Sequence, residues 1–119
     1  MARILLVDDD AVQLQARAAV LSAAGFEVFT ATSAPAALAL LRSSPGESIA
    51  TVITDHIMPG VSGAIFVRDL RQVRPAVSVV VISGMADAED EYAGLNVRFR
   101  QKPCPPQELI ALLRDGKPS

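Results

Sequence analysis

An apolar run followed by a helix-period stretch recurs five times along this chain, and that alternation constrains its fold more than any other feature. The runs are RILLV at 3–7, FEVFTA at 26–31, IATVITD at 49–55, VSVVVIS at 77–83 and VRFRQ at 97–101. Strands that alternate with helices pair in parallel, since a helical crossover can join two parallel strands and a tight hairpin cannot. The expectation is an α/β domain: a doubly wound, five-stranded parallel sheet of order 2-1-3-4-5 with helices on both faces, flavodoxin-like in topology. VSVVVIS is apolar almost throughout and reads as the most central strand. VRFRQ alternates Val97 and Phe99 with Arg98 and Arg100, and Glu27 interrupts the second run, so both read as strands near a sheet edge.

The intervening stretches carry helix punctuation. Ala16, Val20 and Ala24 are spaced for one face of a helix over about 11–24 that stops at Gly25. Asp10 is placed to cap it, with a carboxylate free to accept the first backbone N–H groups. Ser33 caps an Ala/Leu-rich helix that ends before Pro45. A Met58-Pro59-Gly60 turn leads to a helix over about 62–74, with Ser62 suited to the N-cap, Phe66, Leu70 and Val73 as the apolar stripe, and Pro75 as the stop. The stretch from Asp87 to Asn96 is acidic, with only Ala88, Tyr92 and Leu95 as a weak stripe. The last helix opens at Pro105 or Pro106 and turns Leu109, Leu112 and Leu113 inward before Gly116.

Composition narrows the function. With 119 residues, half of them hydrophobic, the chain reads as a single domain over 1–119; at 4% aromatic residues its core must be built from Ala, Val, Leu and Ile. A formal net charge of -2 supplies no basic field, so neither direct nucleic-acid binding nor membrane contact is expected. Cys104 is the one cysteine, which excludes an internal disulfide framework and a cysteine-based metal site. MARILLVDDD turns acidic too early for a secretory signal, and no apolar run approaches the ~20 residues that span a bilayer. A soluble, cytoplasmic protein is the expectation.

In a sheet of this topology ligands sit beyond the carboxyl ends of the strands, where the strand order reverses. The residues that end strands one, three, four and five are Asp8 and Asp9, Asp55, Ser83 and Lys102. Taken singly, an aspartate after a strand is an ordinary turn residue. Converging, three carboxylates, a hydroxyl and an amine make an oxygen-rich pocket whose mutual repulsion calls for a cation, a proton or solvent. Mg²⁺ (or Mn²⁺) fits, because it takes octahedral oxygen ligands and is commonly held by one or two carboxylates plus a phosphate oxygen. A bound phosphoryl group would meet the metal, the Lys102 ammonium and the Ser83 hydroxyl on three sides. No histidine or cysteine serves the crevice as a base, since strand alternation turns His56 away from Asp55. A carboxylate attacking phosphorus directly is the economical chemistry.

These residues carry a family resemblance. VDDD, TDHIMPGVSG, VVVISG and RQKP stand in the order and approximate spacing of the response regulator receiver domains of two-component signalling, across essentially the whole chain. The resemblance implies that Asp55 is the phosphoacceptor, that Asp9 touches the metal directly and Asp8 through water, and that the Ile57 backbone carbonyl is a further ligand. It implies that Ser83 and Lys102 contact the phosphoryl group and that Ser83 and Phe99 form the activation switch; from the residues alone Phe99 is an inward-facing strand side chain. The implied partners are a histidine kinase or a histidine phosphotransfer protein, with a homodimer as a compatible state. The motif wording resembles that of receivers joined to hybrid histidine kinases. The implied activity is phosphoacceptance, with at most self-phosphorylation and self-dephosphorylation. Three positions depart from the family pattern. Cys104 stands where Phe or Leu is common and reads as a small packed apolar residue. Ser62 stands where an acid is common. The interval from Ser83 to Phe99 is short, so the fourth helix is expected to be truncated or irregular.

Three rival readings share some of these features. A haloacid-dehalogenase-like phosphatase has the order Asp8-x-Asp10, strand-end serine and later lysine, but Val12 stands where its threonine would be, and Glu108 and Asp115 lie on or beyond the last helix rather than forming a second acidic pair. A flavodoxin-like FMN binder would need a phosphate cradle where this chain is acidic. An interaction-only receiver would not need the full set of reactive residue types that the chain retains.

Overall fold

A computed structural model of the chain describes residues 3–58, 61–84 and 86–115. Its main sheet is five-stranded and parallel, in the order β2-β1-β3-β4-β5, with β1 at Arg3–Val7, β2 at Glu27–Ala31, β3 at Ile49–Asp55, β4 at Ser78–Ser83 and β5 at Arg98–Gln101. The helices are α1 at Ala11–Ala23, α2 at Ala34–Arg42, α3 at Gly63–Val73 and α4 at Pro106–Asp115. Two-residue strands at Ile57–Met58 and Val61–Ser62 pair antiparallel outside the main sheet. Pro59 and Gly60 of the expected turn, and the Gly116 stop, lie outside the described residues.

Local chemistry starts and ends the helices where expected. The Asp10 carboxylate accepts the N–H groups of Val12 and Gln13, the Ser33 hydroxyl accepts from Ala36, and the Ser62 hydroxyl accepts from Ile65. Just past α1, Gly25 takes φ +103°, a conformation a side chain would oppose, and the chain turns toward β2.

Strand alternation deals the side chains into two layers. Leu5, Val7, Val52, Val79 and Val81 pack with Ala37 and Leu41 of α2 and with Phe66, Val67 and Leu70 of α3. Ile4, Leu6, Ile53, Val80 and Ile82 face the opposite way, onto Leu14 and Leu21 of α1, Leu109 of α4 and Cys104. Burying each Val, Leu or Ile stabilises by roughly 1.5–3 kcal/mol, so both layers carry the fold.

One element departs from the sequence expectation, and another follows it. The inward stripe of α1 is Leu14, Arg17 and Leu21, whereas Ala16 is exposed and Val20 is 37% exposed. The leucines remove more apolar surface from water than alanines at the same spacing, so they set the helix rotation and carry Arg17 inward with them. Between β4 and β5 the chain forms a 3₁₀ helix at Ala86–Tyr92 rather than an α-helix, in keeping with the short interval there. Tyr92 is buried and Leu95 half-buried against the α2/α3 layer, while the Ala88 side chain lies outside the described set.

Candidate functional site

Register explains why the acids meet. Leu6 of β1 lies beside Ile53 of β3, and Asp8 and Asp55 follow two residues on from each, so both carboxylates inherit the α1/α4 side of the sheet. The three carboxylates of Asp8, Asp9 and Asp55 place oxygen atoms within 4.8 Å of one another. Asp8 is 2% exposed and Asp55 5%, while Asp9 is open to solvent. Burial pushes the Asp8 carboxyl up to about 6; a hydrogen bond shared with Asp55 adds to the rise, and the Asp10 amide and the Arg17 guanidinium oppose it.

The cation opposite comes from the end of β5. The Lys102 amide donates to the Ser83 carbonyl at 2.7 Å, and its Nζ stands 3.2 Å from Asp55 Oδ1. That oxygen is buried and accepts no well-aligned hydrogen bond among the described residues. Hard carboxylate oxygens gathered this closely, one of them buried and met only by the Lys102 ammonium at 3.2 Å, fit a hard divalent cation such as Mg²⁺. Ser83, buried at the end of β4, lines a cavity of about 60 Å³ with Asp55, His56, Ile82, Gly84 and Lys102. A water needs only about 10–15 Å³ of such space, so the cavity has room for a larger oxyanion against Asp55.

His56 borders this cavity, but its imidazole is turned from the acids toward Tyr92 and Glu91, as alternation requires. Its Nδ1 lies 2.7 Å from the Tyr92 hydroxyl and its Nε2 3.4 Å from the Glu91 carboxylate. Gly63 allows this arrangement: a Cβ there would collide with the Tyr92 hydroxyl and the His56 backbone. Phe99 pairs in register with Val81 and packs on Tyr92 at a ring separation of 6.1 Å, in the layer opposite the acids. Ile57 follows in the short hairpin, paired with Ser62. Asp8, Asp9, Asp55, Ser83 and Lys102 therefore converge, and Phe99 lies behind the sheet from them.

Two participants escaped the sequence reading. Arg17 reaches Asp8 Oδ2 at 3.3 Å from the inward face of α1; its i−3 and i+4 spacing to Leu14 and Leu21 was the available signal. The contact between His56 and Tyr92 joins residues 36 apart and left no local trace.

Known proteins resemble this chain along nearly its whole length. The family model for the response regulator receiver domain matches residues 4–114. The hydrogenase transcriptional regulatory protein HoxA of Cupriavidus necator is 35% identical over 119 residues, covering 97% of this chain and 24% of that protein. A response regulator receiver domain protein from Clostridium thermocellum superposes with a TM-score of 0.86 at 29% identity, covering 97% of this chain and 93% of that one. The receiver domain of the hybrid histidine kinase CckA superposes with a TM-score of 0.80 at 30% identity, covering 96% of each. The chain spans between about a quarter and about half the length of the first curated relatives it matches.

Proposed function

This chain belongs to the response regulator receiver family of two-component signalling, and from that premise we propose that Asp55 is its phosphoacceptor and that a phosphohistidine protein is its donor. A carboxylate oxygen of Asp55 forms a bond to phosphorus while the donor's P–N bond breaks, and the departing imidazole keeps the electron pair and takes up a proton. Lys102 Nζ, 3.2 Å from Asp55, offsets negative charge on the arriving group, and Ser83 lines the same cavity to receive another of its oxygens. Asp8, Asp9 and Asp55, with the Ile57 carbonyl, are the residues that would hold Mg²⁺ or Mn²⁺. When bound, that ion supplies the positive charge that draws phosphoryl oxygens into line. Ser83 and Phe99 carry the change from the phosphorylated carboxylate to the β5 surface, where Arg98 and Arg100 lie.

The donor has to approach beside Lys102. A mostly apolar groove of about 680 Å³ lies there, lined by Ala16 and Val20 of α1 and by Pro103, Cys104, Pro105 and Pro106. Its position next to the acids supports docking of a histidine kinase or phosphotransfer protein on this face. We assign no turnover beyond self-phosphorylation from small donors and self-dephosphorylation, and we place the domain, taken as residues 1–119, in the cytoplasm. Among the described residues no helix is long and apolar enough to cross a membrane.

The observation that carries this reading is the Asp55 carboxylate paired with Lys102 and set within reach of two further acids. Incubation with acetyl phosphate and Mg²⁺ should add one phosphate by intact-protein mass, and Asp55→Ala should abolish the addition. Undiminished labelling of that variant would overturn the assignment.

A further inference from the structure

We propose that Arg17 is a built-in counter-cation of the acidic pocket, one that weakens divalent-cation binding and so raises the Mg²⁺ concentration this receiver requires. The inference rests on the metal reading given above. Arg17 is 9% exposed and sits on the inward stripe of α1 between Leu14 and Leu21, a place where a charge is costly unless paired. Its Nη1 stands 3.3 Å from Asp8 Oδ2. With its amide turned to satisfy both neighbours, Gln13 donates to the same Asp8 oxygen at 3.2 Å and accepts from Arg17 Nη2 at 2.9 Å. The other Asp8 oxygen accepts the Asp10 amide at 2.9 Å. Both oxygens of Asp8 are thus engaged by donors from this chain, and any cation or cation-bound water reaching Asp8 must share them.

Charge points the same way. Asp10 turns its carboxylate to the α1 amides, which leaves Asp8, Asp9 and Asp55 facing Lys102 and Arg17. Three negative groups against Lys102 alone would leave a double negative charge, a match for a divalent ion; Arg17 halves it. A buried charge is screened little by salt, so the effect of the Arg17 guanidinium on the acids persists at physiological ionic strength. When Asp55 carries a phosphoryl group with two negative charges and the divalent ion is bound, the same count sums to zero, so Arg17 disfavours the metal before transfer and balances the site after it.

The experiment is Mg²⁺ titration of the full chain by calorimetry, with the Mg²⁺-dependent rise in melting temperature as a second readout. Arg17→Met removes the charge and keeps an apolar stem on the α1 stripe; Arg17→Lys keeps the charge. Arg17→Met should bind Mg²⁺ about tenfold more tightly than the native chain, and Arg17→Lys should stay within about threefold of it. A purely structural Arg17 would lower the metal-free melting temperature without tightening Mg²⁺ binding. If Arg17→Met fails to fold, Arg17→Gln, which retains a donor for Asp8, decides. Equal or weaker Mg²⁺ binding by the folded charge-removing variant overturns the role of Arg17 alone. Absence of Mg²⁺ binding by the native chain and by every variant overturns the metal reading and this inference together.

Discussion

Asp8 accepts the Asp10 amide and faces the Arg17 guanidinium, yet burial still holds its carboxyl near 6. An unfolded aspartate ionises near 3.9, so the folded chain keeps this proton over a window where the unfolded chain has lost it. The stability from protonated Asp8 is full below about pH 4 and is lost as pH rises through about 6. In metal-free buffer the urea midpoint should therefore fall across that window, and Asp8→Asn should flatten the profile; a midpoint that rose with pH, once other acids were accounted for, would contradict the assignment. His56 makes a second test. Tyr92→Phe keeps the ring against Phe99 but strips a buried imidazole nitrogen of its 2.7 Å partner, an unsatisfied group that should cost about 1–3 kcal/mol in urea denaturation. Residues whose partner is a near neighbour, such as the caps Asp10, Ser33 and Ser62, were legible in the sequence. Arg17 was not, because a charge in a helix reads as solvent-facing until something nine positions away is known to lie beneath it.

α1 works on two sides at once: its leucine stripe seals the layer it shares with α4, and its alanine side forms one wall of the groove beside Lys102. Asp10→Ala should loosen the start of this helix by about 1 kcal/mol, read as earlier thermal unfolding. The link between β4 and β5 depends instead on α3. Arg71 donates to the carbonyls of Val77 at 2.5 Å and Pro75 at 3.2 Å in the turn before β4, and to those of Asn96 at 2.8 Å and Leu95 at 2.9 Å, tying the far end of the link that contains the 3₁₀ helix to that turn. At roughly 0.5–1.5 kcal/mol per hydrogen bond, Arg71→Ala should destabilise by about 2 kcal/mol and speed amide exchange near residues 93–97. The count of residues between Ser83 and Phe99 foretold an incomplete helix here. It carried no hint that a guanidinium from the preceding helix would hold the carbonyls such a helix leaves over.

For the molecule as a whole, one parallel sheet sorts residues by parity: acids and Lys102 toward α1 and α4, His56 and Phe99 toward α3 and the 3₁₀ helix. If the acids hold Mg²⁺, the folded state gains about 2.7 kcal/mol at a concentration 100 times Kd. The melting temperature should climb with MgCl₂, and Asp9→Ala, which removes an exposed ligand without disturbing the core, should suppress the climb. Strand positions, helix starts, the two-sided layering and the acids at the strand ends could all be read from the amino acids, because period, capping and alternation act over a turn or a pleat. The inward rotation that buries Arg17, the pairing of His56 with Tyr92 and the raised Asp8 carboxyl arose only on closure of the layers. Those depend on which distant groups share a desolvated space, and that is decided by crossover register and packing rather than by any neighbour along the chain.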